Sequence, residues 1–514
     1  LGVTLLSMAS PRCHAQTPVR KSIRTMMQDT DLWQSFISGV AKMKQRSEDD
    51  PNDRRGWLYQ ANIHGTPFLS SDELLNQCDH GSIQFIVWHR AYLFYFEEIL
   101  REASGNDQVY LPYWEWDVEA HRSIPTPYYL VDALSHPRLM SSPSMTLAND
   151  DAQGIAAVDT PSFFGSNGVA TNQLPIGFGG LLPGTSFGPG IDPGFANFLR
   201  KGFCEALAHD RVHGAVGGDM ADPRTAARDT IFWSHHCQVD RLYESWIAKH
   251  GTSQILAIAN EIDAEWKFVD SSDTVVTKSF SDVLFSNQLG FAYDELVGVT
   301  PEESLLAAAP AVTEEAGSAV EESETEEVTI NVRPTVLSSE TVNVSLGESL
   351  KAVAIPLQSD AHVESALVES DEPEASVFLV AKSVEFNSVP SGVFEVYLRM
   401  QQEVAPTGDP RESATYAGSI SLFGIPALGE MAHHGGHASG DGDHDTSRSV
   451  AVDITKAVRQ FKTEDEWDKD RLEVIIFPRG PVVDGKARRL ILKTPVEFKG
   501  ISIQEIMPGD ITLD

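Results

Sequence analysis

The chain has 514 residues, which at roughly 150 per domain suggests about three folded units. Its 39 basic and 74 acidic residues give a net charge of −35, which argues against nucleic acid or an anionic membrane as partner. A hydrophobic fraction of 41% with nine Trp excludes wholesale disorder, four Cys exclude a disulfide scaffold, and no apolar run reaches the 18 or so residues of a membrane span.

In chain order, Gly2 to Ser10 is a short apolar run followed by Cys13-His14-Ala15. Its small residues suit the end of a secretory signal peptide cut after Ala15, which would make the protein secreted or periplasmic; an ordinary chain terminus is the alternative. From Ser82 to Arg101, Phe85, Trp88, Tyr92, Phe96 and Ile99 recur at helical steps, with Glu97 and Arg101 as an i,i+4 pair. Residues 141–193 are rich in Gly, Pro and Ser and read as long loops. Residues 301–329 hold nine Glu and no Lys or Arg, a composition that cannot bury enough apolar surface to order itself. Beyond it, short alternating segments from Val342 to Phe498, separated by turn residues, suggest a β-sandwich. One loop there collects His433, His434, His437 and His444 among Gly and Asp; it is a solvated loop or a site that carries metal.

Histidines dominate the first half. His209 and His213 are four apart, so a helix sets both imidazoles on one face. His235 and His236 follow, with Asp240 four residues after His236. Upstream stand His64, His80 and His89, the last inside the amphipathic helix. Two triples of imidazole in aromatic-rich helices are hard to explain as packing and point to two metals held by nitrogen alone. Imidazole suits Zn, Cu, Fe or Ni. No Glu lies between His209 and His213, as a zinc protease helix would need.

Four stretches carry a resemblance: CDHGSIQFIVWHRAYLFYFEEIL (78–100), LPYWEWD (111–117), HDRVHGAVGG (209–218) and AARDTIFWSHHCQVDRLY (226–243). They resemble the type-3 copper family of tyrosinases and polyphenol (catechol) oxidases. The resemblance implies two copper ions, one on His64, His80 and His89 and the other on His209, His213 and His236, with O2 as co-substrate. His235 and Asp240 would support the ligands from behind. Glu205 falls at the position of a water-orienting Glu, and Asp210 would assist it. DAEWKFVD (263–270), LGFAYDEL (289–296), FEVYL (394–398), AGSISLFGIP (417–426) and LEVIIFP (472–478) extend a looser likeness to plant polyphenol oxidases. The implied fold is a mainly α, helical-bundle copper domain followed by an all-β sandwich. The expected division is a signal remnant 1–15, a catalytic domain 16–258, a short packing segment 259–297, a flexible acidic linker 298–329 and a β-sandwich 330–514.

The chain departs from the plant pattern in three places. Gly65 stands where plant enzymes carry the Cys that cross-links a ligand, while Cys78 two residues before His80 resembles the Cys-x-His thioether of fungal tyrosinases. Pro223 occupies the position of a bulky gate. The plant disulfides have no counterpart, leaving Cys204 and Cys237 as a pair or as buried thiols. The implied activity is oxidation of o-diphenols to o-quinones, with monophenol hydroxylation (a monooxygenase step) left open. The substrate would be a small phenol, and the linker at 298–329 would suit an activating protease acting on a proenzyme. A haemocyanin-like O2 carrier is the rival from another class; a zinc hydrolase is more distant.

Overall fold

The computed structural model describes residues 18–513 without 160–185, 188–201, 301–328, 359–375, 401–413, 429–447, 464–470 and several stretches of one to four residues. The expected signal remnant, most of the acidic linker and the His433–His444 loop lie outside the described residues.

The first part is helical. Asp29 caps the helix Thr30–Asp49 by accepting from Leu32 N–H, and the helix buries Trp33, Phe36, Val40 and Met43. It packs on Gln84–Ser104, which the apolar periodicity anticipated to within a few residues. That helix stops at Gly105, whose φ of 67° lets its N–H reach back to Arg101 and Glu102 carbonyls. Thr230–His250 crosses the same helix and starts at Asp229, which accepts from Ile231 N–H while bound to the Arg138 guanidinium. Almost every residue from Thr230 to Tyr243 is buried, so this helix forms the centre of the core.

Strands run β1 Val19–Arg20, β2 Met145–Thr146, β3 Ser186–Phe187, β4 Glu265–Val269, β5 Val275–Ser279 and β6 Ala292–Tyr293 in this part. β1 pairs with β6 in parallel, setting Arg20 opposite Tyr293. The buried Arg20 guanidinium lies 3.8 Å over the Phe291 ring and 2.8 Å from Glu97. The 259–297 segment is thus fastened to the N-terminal strand across the helical core.

The second part is rich in sheet: β7 Thr329–Val332, β8 Thr335–Val336, β9 Val342–Leu346, β10 Ala352–Pro356, β11 Ser376–Glu385, β12 Val393–Met400, β13 Thr415–Ile420, β14 Val450–Asp453, β15 Arg471–Val483, β16 Lys486–Arg489, β17 Val496–Ile506 and β18 Ile511–Leu513. One sheet runs β10-β15-β12-β13, with β16 and β2 also on β15; another runs β14-β11-β17-β8, with β9 on β17. Val396, Leu398, Val474 and Ile476 of the first share an apolar core with Leu379, Ala381, Phe498 and Ile501 of the second. The all-β expectation is corrected here: the helix Thr455–Thr463 turns Ala457, Val458 and Phe461 into that core, where its 3.6-residue period suits one apolar face. No helix among the described residues is long and apolar enough to cross a membrane.

Candidate metal centre

Helix ends and middles deliver the histidines. His64 closes the helix Trp57–His64, His80 lies just before Gln84–Ser104, and His89 sits one turn and a half into it. A π-helical turn, Cys204–His209, leads into Asp210–Val216, so His209 and His213 lie on one face. His235 and His236 come from Thr230–His250.

These elements bring the two expected triples together. Ring centroids of His64, His80 and His89 are 5.4–5.7 Å apart. Those of His209, His213 and His236 are 4.5–5.3 Å apart. The triples adjoin: His89 stacks on His236 at 4.4 Å and 15°. Nitrogens of His209, His213, His235 and His236 cluster within 4.8 Å of one another, and so do those of His64, His89 and His236.

Backbone carbonyls orient the rings. Nδ1 of His64 faces Pro223 O at 2.8 Å, Nδ1 of His89 faces Phe85 O at 2.7 Å, and Nδ1 of His213 faces Met220 O at 2.7 Å. A carbonyl only accepts, so each Nδ1 carries the proton and each Nε2 presents a lone pair inward. The buried Nε2 atoms of His89 and His209 have no hydrogen-bond partner, while Nε2 of His213 and His236 face each other at 3.2 Å. Such lone pairs, buried and converging, fit metal ions and little else. Burial holds His89, His209, His213 and His236 well below the usual imidazole range, and neighbouring imidazoles add to the effect. Burial takes His235 down to about 3. Neutral rings are the form that ligates.

The other anticipated residues fall as follows. Asp210 Oδ1 accepts from His209 Nδ1 at 2.9 Å. Glu205 is buried, and both its oxygens accept from Gly81 N–H at 2.7 and 3.0 Å, which ties the His80 loop to the π-helical turn. Cys78 Sγ lies 3.5 Å from His80 Nδ1. His235 stacks on His209 at 5.4 Å and accepts from Trp116 Nε1–H. Asp240 accepts from Arg90 Nε and Tyr293 OH, each at 2.6 Å, and lies 3.4 Å from Arg20 Nη1. Pro223 acts through its carbonyl on His64, and a Cβ on Gly65 would stand 2.5 Å from that oxygen. The Cys of the plant pattern therefore has no room here. Cys204 and Cys237 are buried free thiols, not a disulfide.

Sequence reasoning missed Phe423. It follows β13 in the sheet-rich part, yet its ring stacks on His213 at 4.0 Å and 21°, and meets His209 and His80 edge-on at 5.3 and 5.6 Å. No local pattern marks a contact that spans two hundred residues of sequence.

Residues 54–172 and 185–249 match the common central domain of tyrosinase, and residues 333–489 match a domain of unknown function (DUF7868). A tyrosinase of Hahella sp. (strain CCB-MM4) is 25% identical over 500 residues, 90% of this chain and 95% of that protein. The chloroplastic polyphenol oxidase II of Ipomoea batatas is 27% identical over 301 residues, 54% of this chain and 49% of its own length, so the chain spans about half of that relative. Among solved structures, latent apple tyrosinase shares the fold with a TM-score of 0.50 at 19% identity, covering 98% of this chain and 99% of its own. Residues 54–172 and 185–249 of this chain are thus similar to the tyrosinase common central domain, and the histidine cluster they carry suits a dinuclear copper site.

Proposed function

We propose that the chain oxidises o-diphenols to o-quinones with O2 at a dinuclear copper centre on His64, His80, His89, His209, His213 and His236. The observation that carries this is the pair of adjoining imidazole triples, in which backbone carbonyls turn His64, His89 and His213 inward and the Asp210 carboxylate holds His209. Copper bound there would supply the electron transfer between phenol and O2. The chain's own groups bind, orient and exclude water. Asp210 fixes the His209 ring, and Glu205, which holds the His80 loop, orders the water that accepts the phenol proton in this reading. Monophenol hydroxylation is the finer question at the same site. Cys78 is placed to form a thioether with His80, and a peptide mass short of two hydrogens after copper loading would reveal it.

The proposed division is a catalytic domain 16–258, a segment 259–297 packed on it, a linker 298–329 and a sandwich-like domain 330–514 formed by the two facing sheets. The last domain serves as a cover, since Phe423 occupies the face of His213 that an incoming phenol ring would use. The protein is then a proenzyme, exported to a secreted or periplasmic location, with the linker as the protease's target. Oxygen uptake with a diphenol and a monophenol tests both parts. Phe423→Ala in the intact, copper-loaded chain should raise diphenol oxidation by about tenfold or more; unchanged uptake would refute the cover, and no quinone from either form would refute the oxidase.

A further inference from the structure

The contact between the two parts is larger than a ring over a histidine. β2 of the helical part extends the sheet of the other, pairing Thr146 with Val482 and Met145 with Val483 on β15. β3 likewise pairs with β7. Three residues before Val482 on the same strand, Arg479 turns its guanidinium back into the helical part. It bonds Asp151 through both terminal nitrogens and faces Glu395 at 2.6 Å, and neither Arg479 nor Asp151 has any exposed side chain. Around this pair, Gly392 N–H donates to Gly214 O at 2.7 Å, Ser421 Oγ donates to Asp210 O at 2.6 Å, and Gly218 N–H donates to Ser391 Oγ at 3.1 Å. Val393 and Phe423 are packed within the helical part's apolar core.

A cover held only by its tether leaves when the tether is cut, because cutting removes an effective concentration of about millimolar and nothing else. This cover has a strand pairing, backbone hydrogen bonds at the helix that carries His213, and an ion pair wholly out of water. Pulling the parts separate strips Arg479 and Asp151 of each other. We propose that the surface around Arg479 and Asp151 is a docking site for the chain's own sheet domain, strong enough to outlast cleavage of the linker. Cleavage then yields a closed two-fragment complex, and breaking the Arg479–Asp151 contact is the step that exposes the centre. The proposal rests on the reading of the sheet domain as a cover.

The test uses the full chain with a site-specific protease sequence placed within 301–328. After cutting, the wild-type fragments should elute together, and diphenol oxidation should stay within about twofold of the uncut chain. Arg479→Met should weaken the association roughly a hundredfold or more, so that cut fragments separate and oxidation rises. Asp151→Asn makes the same test from the helical side if Arg479→Met disturbs the sheet domain; Asn keeps the oxygen that accepts from Ala148 N–H. Wild-type fragments that part on cutting overturn the proposal, as do fragments of both variants that stay together. Co-elution is read without activity, so it separates this proposal from the cover itself. Wild-type fragments that stay together while Phe423→Ala leaves oxidation unchanged would refute the cover and leave the docking site standing.

Discussion

At the residue scale, the centre is a set of imidazoles kept neutral by burial. An unfolded chain binds protons on these rings below its ordinary value of 6.5, whereas the folded chain refuses them. The unfolded state therefore holds more protons in that range, and stability falls as pH falls, by about 1.4 kcal/mol per pH unit for each ring involved. For His235 the loss continues down to about 3. The metal-free chain should lose thermal stability steadily between pH 7 and pH 5.5, and a melting series across that range checks the sign: a flat profile would contradict it. The histidines were legible because metal ligation demands particular atoms at particular spacings, and helices repeat those spacings in sequence. Their orienting partners were not. Pro223, Met220 and Phe85 act through carbonyls that every residue carries, so nothing in their side chains announces the role. The partners of Asp240 were hidden for a related reason: its helical spacing from His236 is local, whereas Arg90 and Tyr293 reach it from elements that spacing cannot place.

Elements set how closely parts approach. The loop carrying Pro223 runs against the end of the Trp57–His64 helix, where Gly65 leaves room for it. A side chain there would push on the Pro223 carbonyl that orients His64. Gly65→Ala should cost about 1–3 kcal/mol by overpacking, and the larger effect should be on copper content, read as a lower metal-to-protein ratio with the second triple still loaded. The helix Gln84–Ser104 was readable because its apolar face repeats five times. The helix Thr455–Thr463 was not, since its apolar positions are few and it lies among strands of similar composition. β2 was hidden as well: two residues in a Gly- and Pro-rich loop become a strand only because β15 offers an edge to pair with.

For the whole molecule, the fastening of Arg20 to Phe291, Tyr293 and Glu97 sets where the chain can be shortened. A fragment ending at residue 297 keeps every partner of Arg20, whereas one ending before Phe291 keeps Glu97 and Asp240 but loses the Phe291 ring and the Tyr293 hydroxyl, a loss of about 1–3 kcal/mol. The shorter fragment should melt about 3–8 °C lower than the longer one in paired calorimetric scans. The division into a helical and a sheet-rich part was visible as a change of period across the acidic stretch. The way they meet was not visible, because Arg479 and Asp151 are ordinary charged residues until the fold removes both from water.

The Phe423 ring has a kinetic consequence. It is an aromatic ring stacked on the His213 imidazole, with no hydroxyl to give up, so under the proposed function the chain carries an inert likeness of a phenol. A phenol entering the intact protein competes with a group held at the effective concentration of a tethered ligand, about millimolar or above. Latency should then register as a raised apparent KM with kcat largely preserved. An intact chain that keeps its KM and loses kcat would instead show that the ring disturbs the imidazoles it covers.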